Sequence, residues 1–161
     1  MNAPGWERGD YLDRPLRDLL DDTAGHDALP AAGSVAATTA ALAAALTVKV
    51  ARRSAGHRPG TDELVARAEK LLARISTQIS ADPPAYAAFL RERSPRTRHA
   101  ASVTPTVLAQ TGTEVAALAG DLVTTGNPAL AYDAAAAEHL ATAAVRVAES
   151  LIAANDPRED S

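Results

Sequence analysis

Apolar side chains recur every three or four residues through most of the chain, which is the spacing of one face of an α-helix. No segment shows the strict alternation typical of a half-buried strand. The clearest stripe comprises Leu64, Ala68, Leu71, Leu72, Ile75 and Ile79. A shorter one comprises Leu12, Leu16, Leu19 and Leu20. The predicted helices cover residues 12–22, 35–53, 61–81, 82–93, 104–126 and 127–155. The pattern therefore predicts an all-α, single-domain bundle of five or six helices over residues 1–161.

Residues that favour helix ends set these predicted boundaries. Ser34 is interpreted as the N-cap of helix 35–53, because its hydroxyl can accept a hydrogen bond from an unpaired amide. Asp82, which precedes Pro83-Pro84, is interpreted in the same way. Thr104-Pro105 and Asn127-Pro128 are the predicted starts of the last two helices.

Three segments are expected to lie outside the helices. Residues 1–11 are interpreted as a loose arm, residues 91–99 as a basic loop and residues 156–161 as a frayed tail. The helix over 35–53 lacks a broad polar face. We therefore expect it to be central and nearly fully buried.

Composition adds a prediction about assembly. Alanine is the commonest residue and aromatic residues make up 3% of the chain. Small side chains let helices pack closely, and the Ala-rich faces exceed what six short helices can bury within one subunit. We expect a homodimer whose contact uses helix 35–53 or the last helix.

Charge and apolar runs exclude several classes of protein. The chain has no Cys and a net charge of −4, and its Arg residues do not cluster with aromatic residues, so a disulfide, a thiolate site and nucleic-acid binding are not expected. The stretch from Val35 to Val50 is too short and too polar for a membrane span. The first twenty residues lack the apolar run of a signal peptide. A cytoplasmic protein without a membrane partner is expected.

Asp133 is the sharpest candidate for chemistry. It shares a helical stripe with Leu130, Ala137, Leu140, Ala144, Val147 and Leu151. An ionised carboxylate on a packing face is costly unless it is paired or lines a cavity, so the stripe predicts that it points toward the packed side. The alternative is structural, because a carboxylate in a first helical turn is stabilised by the helix dipole.

Other candidates have structural alternatives of the same kind. Asp82 and Tyr86 lie one turn apart, although capping alone explains Asp82. Lys49 could bind an anionic substrate tail, or it could simply extend to solvent at a helix end. The four His residues lack ligand spacing, so no metal is expected, and there is no phosphate-binding or dinucleotide motif.

Four elements then occur in a familiar order. They are LPAAGSVAATTAALAAALTVKVARRS (29–54), Asp82-Pro-Pro-Ala-Tyr86, Thr104-Pro105-Thr106 and EVAALAGDLVTTGNPALAYDAAAAEHLATAAVRVAESLIAAN (114–155). Together they resemble the cyclodeaminase/cyclohydrolase family of folate enzymes, which includes the cyclodeaminase part of formiminotransferase-cyclodeaminase and methenyltetrahydrofolate cyclohydrolases. The resemblance implies an all-α domain that dimerises and has its folate site near the glycine-rich turn and the subunit contact.

The resemblance also implies a reaction and roles for residues. The substrate would be a formimino- or methenyl-tetrahydrofolate, with no permanently bound cofactor, and the enzyme a C–N hydrolase or an ammonia-lyase. Both reactions need proton transfer at nitrogen and support for a cationic carbon, which a carboxylate can provide. Asp133 and Asp82 would be catalytic. The substrate would be bound by Gly33, Ser34, Lys49, Tyr86 and Asn127.

The chain departs from the family pattern near the supposed site. Ala31-Ala32-Gly33 replaces three glycines, Tyr132 replaces a Ser, and the segment after Tyr86 is short. Two further hypotheses therefore stay open, since function follows the site and not the fold. One is an enzyme redirected to another small imine or amidine; the other is a non-catalytic dimer that binds a ligand.

Overall fold

The computed structural model describes residues 4–155, and this part of the chain is helical without a strand. Its α-helices are α1 (Leu16–Ala24), α2 (Ala32–Arg52), α3 (Thr61–Ser76), α4 (Gln78–Arg91), α5 (Pro95–Thr125) and α6 (Ala131–Ala154). Short 3-10 helices cover Gly5–Glu7, Tyr11–Asp13 and Pro128–Leu130. The predicted all-α class is confirmed. The predicted tail at 156–161 lies outside the described residues.

The α2 helix is the centre of the bundle, as predicted, because it packs against α3, α4, α5 and α6. By length and composition it could also cross a membrane, but 61% of its most apolar stretch is buried inside the protein. The prediction of nearly complete burial was wrong for one stripe. Val35 is 43% exposed and Leu42 is 60% exposed.

Alanine explains how closely α2 and α6 approach each other. The buried side of α6 is a row of small residues: Ala134, Ala137, Ala141, Ala144 and Ala148. This row shares Ala137 and Ala144 with the predicted stripe, but its other members lie one position after Asp133, Leu140 and Val147, and Leu140 and Val147 remain about 40% exposed. Small residues occupy the buried face because helices with little side-chain bulk between them come closer together. The closer approach gives more van der Waals contacts between the helices.

The N-terminal segment was predicted to be loose, but residues 4–11 pack against the bundle. Tyr11 is buried, and its backbone N–H donates to Ser80 Oγ of α4 at 3.0 Å. Its hydroxyl donates to Asp22 Oδ2 of α1 at 3.0 Å. These contacts join the segment to both helices, so the predicted helix 12–22 divides into a 3-10 turn and α1.

Two predicted caps are interior residues. The α2 helix begins at Ala32, so Ser34 lies inside its first turn and is fully buried. Asp82 lies inside α4, because the chain breaks at Thr77 and not at Ala81. The α4 helix therefore includes Pro83 and Pro84, which cannot donate the backbone hydrogen bond of an ordinary helical residue.

The last two helices also begin at residues other than those predicted. The α5 helix begins at Pro95 behind a capping box formed by Ser94 and Thr97, so most of the predicted basic loop is helical. Thr104-Pro105 lies within α5 and does not start it. Asn127 instead caps the 3-10 turn that precedes α6. Because the capping box starts α5 upstream, Pro105 is an interior proline, although the local sequence alone predicts it as a first helical residue.

One face of the bundle is both apolar and exposed. Its α2 side carries Val35 and Leu42, and its α6 side carries Leu140 and Val147. A shallow apolar groove with Thr39 and Ala143 in its wall runs between the two helices. We refer to these residues as the α2–α6 face.

The close packing of α6 predicts that a larger side chain destabilises the protein on the buried row but not beside it. Ala137→Leu should lower the free energy of unfolding by about 1–3 kcal/mol, because the added side chain has no space on the buried row. The neighbouring Ala136 is exposed, so Ala136→Leu is the matched control and should change stability by less than about 0.5 kcal/mol. Urea unfolding measures both values. Equal penalties would contradict the placement of the buried row.

Candidate active site

A cavity of about 310 Å³ opens where the start of α2, the middle of α4, the start of α5 and the end of α6 meet. Its wall is formed by Ala31, Ala32, Gly33, Asp82, Tyr86, Phe89, Arg93, Arg98, Ala101, Pro105, Leu151, Ala154 and Asn155. The wall is mainly apolar, with a carboxylate, a phenol and two guanidinium groups. That combination is typical of a site that binds a small molecule.

Asp82 is the buried carboxylate of this cavity. It lies across the first turn of α2, where the Ser34 hydroxyl donates to its Oδ2 at 3.3 Å and the Ser34 backbone N–H also donates to it. The carboxylate therefore satisfies an amide that α2 itself leaves unpaired. The residue is 7% exposed.

The close contact between Asp82 and α2 requires a glycine. A Cβ atom at Gly33 would come within 2.2 Å of Asp82 Oδ1, so no side chain fits there while the carboxylate keeps its position. Ala31 and Ala32 need no glycine conformation, because no non-glycine residue of the described chain has a positive φ. Of Ala31, Ala32 and Gly33, it is therefore Gly33 at which the contact with Asp82 requires a glycine.

Burial raises the pKa of the Asp82 carboxyl above its ordinary value of 3.8. The hydrogen bonds from the Ser34 side chain and backbone act in the opposite direction and are the smaller effect. A carboxyl with a raised pKa exchanges a proton closer to neutral pH than a surface Asp does, which suits general acid–base work.

The cavity wall contributed by α4 is a single helical face. Asp82, Tyr86 and Phe89 follow one another on α4 at intervals of four and three residues, which places them in a row, and Arg93 lies two residues beyond the last helical residue, Arg91. The Tyr86 and Phe89 ring centroids lie 6.0 Å apart. The guanidinium carbons of Arg93 and Arg98 lie 5.5 and 5.3 Å from the Phe89 centroid. Acid, aromatic and cationic groups therefore succeed one another along the cavity.

Asp133 and Lys49 lie at the opposite end of the bundle. Lys49 Nζ donates to Asp133 Oδ2 at 2.6 Å, and the two side chains are 53% and 37% exposed. The prediction that this carboxylate points toward the packed side was wrong, because α6 buries its alanine row there. At 1.5 Å per residue along α6, Asp133 is about 30 Å from Asn155 in the cavity wall.

Asn127 also lies far from the cavity and satisfies local backbone groups. Its Nδ2 donates to the Arg53 carbonyl at 3.1 Å, and its Oδ1 accepts from the Ala129 N–H at 3.0 Å. Its own N–H donates to the buried Ser54 hydroxyl at 2.9 Å. These contacts join the end of α2 to the turn before α6.

The fold thus brings together Gly33, Ser34, Asp82 and Tyr86, and separates them from Lys49, Asn127 and Asp133. Sequence reasoning missed Phe89, Arg93 and Arg98. The spacing of the α4 row was present in the sequence, but it becomes visible only when the helix is allowed to run through Asp82. Within residues 4–155, no cluster of three or more metal-binding side chains is present.

Comparison with known proteins agrees with this architecture. The sequence profile described as formiminotransferase-cyclodeaminase matches residues 15–158. The chain belongs to the formiminotransferase-cyclodeaminase family. The sequence matches no curated protein at a significant level.

The three-dimensional structure of this chain is also similar to a solved structure. The crystal structure of formiminotetrahydrofolate cyclodeaminase from Thermotoga maritima superposes with a TM-score of 0.81 at 20% sequence identity. The match covers 89% of this chain and 79% of that one. At this identity the likeness establishes a shared fold.

The contact between Gly33 and Asp82 predicts a coupled pair. Gly33→Ala should lower the free energy of unfolding by about 1–3 kcal/mol, because the new methyl group displaces a buried carboxylate from its amide partners. In the Asp82→Ala background the methyl group has space, so the same change should cost at least about 1 kcal/mol less. Chemical unfolding of the four proteins measures the coupling, and equal costs in both backgrounds would contradict the contact.

Proposed function

We propose that this protein is a folate one-carbon enzyme, a cyclodeaminase or cyclohydrolase that acts on a formimino- or methenyl-tetrahydrofolate. The observation that carries the proposal is Asp82, a buried carboxylate with a raised pKa that faces a cavity large enough for a small molecule. Family membership supports the folate class of substrate.

Asp82 has the chemistry that either reaction needs. In cyclodeamination one folate nitrogen attacks the formimino carbon, a C–N bond forms, and the bond to the departing ammonia breaks. Asp82 would take the proton from the attacking nitrogen and deliver it to the leaving one. In cyclohydrolysis it would take a proton from the attacking water and pass it to the ring nitrogen as the C–N bond opens.

The surroundings of Asp82 suit both of its protonation states. The first turn of α2 supplies the Ser34 amide and hydroxyl to the ionised form, which in turn can stabilise a cationic carbon. Burial favours the neutral form that donates the proton. Tyr86, one turn further along α4, supplies a hydroxyl for positioning the substrate.

Replacement of the two candidate carboxylates separates their roles. Asp82→Asn should lower turnover of 5,10-methenyltetrahydrofolate or 5-formiminotetrahydrofolate by about a hundredfold or more, the usual scale for a general acid–base group. Asp133→Asn is the matched control, and it should stay within a few-fold of the unaltered protein because its ion pair is exposed and remote. Absorbance of the methenyl product or substrate follows both reactions. Loss of turnover in the Asp133 variant alone would contradict the assignment.

The pH dependence of the same assay provides a second test. If ionised Asp82 accepts the proton, the rate should rise with pH through a pKa above 3.8, since burial raises that pKa in the folded protein. The residual activity of Asp82→Asn should lack this rise. A profile that is unchanged in the variant would assign the titration to another group.

We also propose that the protein is a homodimer joined through the α2–α6 face. Several large apolar residues are exposed there, and such a patch is typical of a protein interface. The groove of this face and the cavity share Ala32 as a wall residue, so a second subunit on the groove would lie beside the cavity.

Light scattering with two charge substitutions tests the dimer. Leu42→Glu should yield a monomer at micromolar concentration, because a carboxylate would be buried without a partner at the subunit contact. Leu16 on α1 is equally exposed at 60%, so Leu16→Glu is the control and should leave the mass unchanged. A monomeric unaltered protein, or loss of the dimer only in the Leu16 variant, would contradict the proposed contact.

One observation favours a second candidate, a related enzyme for another small imine or amidine. Ala32 lines the cavity where the family pattern that the chain resembles has a glycine, so its methyl group occupies space that a glycine would leave open. A substrate screen with the Asp82→Asn variant as a blank distinguishes the two, because both candidates use the same carboxylate on different molecules.

A further inference from the structure

The first half of α4 is weakened by its own sequence. Pro83 and Pro84 have no backbone N–H, so the carbonyl groups of Ile79 and Ser80 lack the donors that an ordinary helix supplies four residues later. No side chain within residues 4–155 caps the start of this helix. Asp82 lies in the weakened part, directly before the two prolines. Contacts from outside α4 therefore matter more for the position of this carboxylate than they would in an uninterrupted helix.

Ser80 joins this weakened turn to the N-terminal arm, which comprises residues 4–15. Its hydroxyl donates to Asp10 Oδ1 at 2.7 Å and accepts from the Tyr11 backbone N–H at 3.0 Å. The same Asp10 oxygen accepts from the Leu12 N–H at 2.9 Å and caps the 3-10 turn of the arm. The hydrogen bonds from Leu12 and Ser80 lower the pKa of the Asp10 carboxyl, so the acceptor is ionised at neutral pH. Ser80 is thus bound as both donor and acceptor by one capped turn.

Ser80 and Asp82 project from opposite sides of α4. Successive residues of an α-helix are about 100° apart around its axis, so residues two apart differ by about 200°. The Ser80 side contacts the arm, while the Asp82 side contacts the first turn of α2. The start of α4 is therefore held between two partners. If the arm contact is lost, the helix is free to move away from the Ser34 amide that binds the carboxylate.

The arm is itself fixed by Asp22 of α1. This carboxylate accepts from Arg8 at 2.6 Å, from the Tyr11 hydroxyl at 3.0 Å and from Arg14 at 3.1 Å, and its side chain is 12% exposed. A Cβ atom at Gly5 would come within 2.1 Å of the Asp22 Cγ, so the arm closes tightly around the carboxylate. Burial and the Asp22 carboxylate raise the pKa of Tyr11 to about 12, which keeps its hydroxyl a donor at neutral pH. The contact with Ser80 therefore comes from a folded arm.

We propose that the N-terminal arm is a positioning element of the candidate active site: held by Asp22, it fixes the start of α4 through Ser80 and keeps Asp82 against α2. Ser80, Asp22 and Gly5 are positioning residues, because none of them lines the cavity. The inference rests on the proposed function only for its effect on turnover. The effect of the arm on α4 does not depend on any substrate.

Hydrogen exchange tests the contact without any reaction. Ser80→Ala should speed exchange at the α4 amides by about tenfold or more relative to those of α6, the scale of a lost hydrogen bond to a charged group. Ser80→Thr keeps the hydroxyl and should restore slow exchange. Ser76 is also half-buried, but its hydroxyl donates to the Leu72 carbonyl of its own helix, so Ser76→Ala is the matched control. Equal α4 exchange in the two alanine variants would overturn the proposal.

The titration of the Asp82 carboxyl, followed by NMR, distinguishes positioning from general stabilisation. Burial is the larger influence on its pKa, so in Ser80→Ala the pKa should fall toward 3.8 as water reaches the carboxylate. The other titratable groups of the cavity wall, Tyr86, Arg93 and Arg98, are unchanged in these variants, and the first turn of α2 carries no charge. An unchanged pKa with only a lower melting temperature would make the arm a stabilising element and overturn the proposal.

Gly5→Ala tests the same path from the far side of the arm. The three atoms nearest to the added methyl group all belong to Asp22, so the change should displace the arm from that carboxylate and speed α4 exchange as Ser80→Ala does. The double variant should exchange no faster than the faster single one, because both changes remove the same support. Effects that add would overturn the path from Asp22 to Ser80. Because Ser80 is intact in Gly5→Ala, this test stands even if Ser80→Ala does not fold.

Turnover separates this inference from the proposed reaction. If a folate is turned over, Ser80→Ala should lower kcat by about tenfold while KM changes little, because a displaced acid–base group acts on the transition state and not on substrate binding. An unchanged kcat would overturn the role of the arm and leave the reaction in place. Faster α4 exchange and a lower Asp82 pKa without any folate turnover would support the arm, and in that case the proposed reaction alone fails.

Discussion

The contact between the Asp82 carboxylate and the first turn of α2 is the interaction on which the site depends. It connects α4 to the central helix, supplies a partner for an unpaired amide and buries an acid beside a cavity. It also leaves no space for a side chain at Gly33. The same packing that raises the pKa of the carboxyl therefore restricts the residue that faces it.

The direction of α4 orders the rest of the cavity. Because Asp82 lies inside this helix and not at its start, the next two turns carry Tyr86 and Phe89 along the same wall. The helix then ends near the start of α5, which brings Arg98 to the Phe89 ring. One face of α4, the residues just beyond its end and the start of α5 thus arrange a carboxylate, aromatic rings and guanidinium groups around one cavity without any long loop.

The length of α6 separates two groups of polar residues that the sequence places in one motif. Its C-terminal end contributes Leu151 and Asn155 to the cavity, while its first turn holds Asp133 against Lys49 at the surface. A helix of this length spans the whole bundle. Within one chain, residues at its two ends cannot act on the same atom of a small ligand.

Helical periodicity by itself determined the fold class and the central position of α2. The family resemblance, and not periodicity, implied a site that contains Gly33, Ser34, Asp82 and Tyr86, and it implied Lys49, Asn127 and Asp133 as well. These follow from local spacing and from a family pattern that runs along the chain. The tertiary structure decided which side of α6 is buried, because close helix packing selects the alanine row over the larger side chains. It also decided that the Arg pair, and not Lys49, lines the cavity, since that depends on where distant helix ends meet and no local pattern records it.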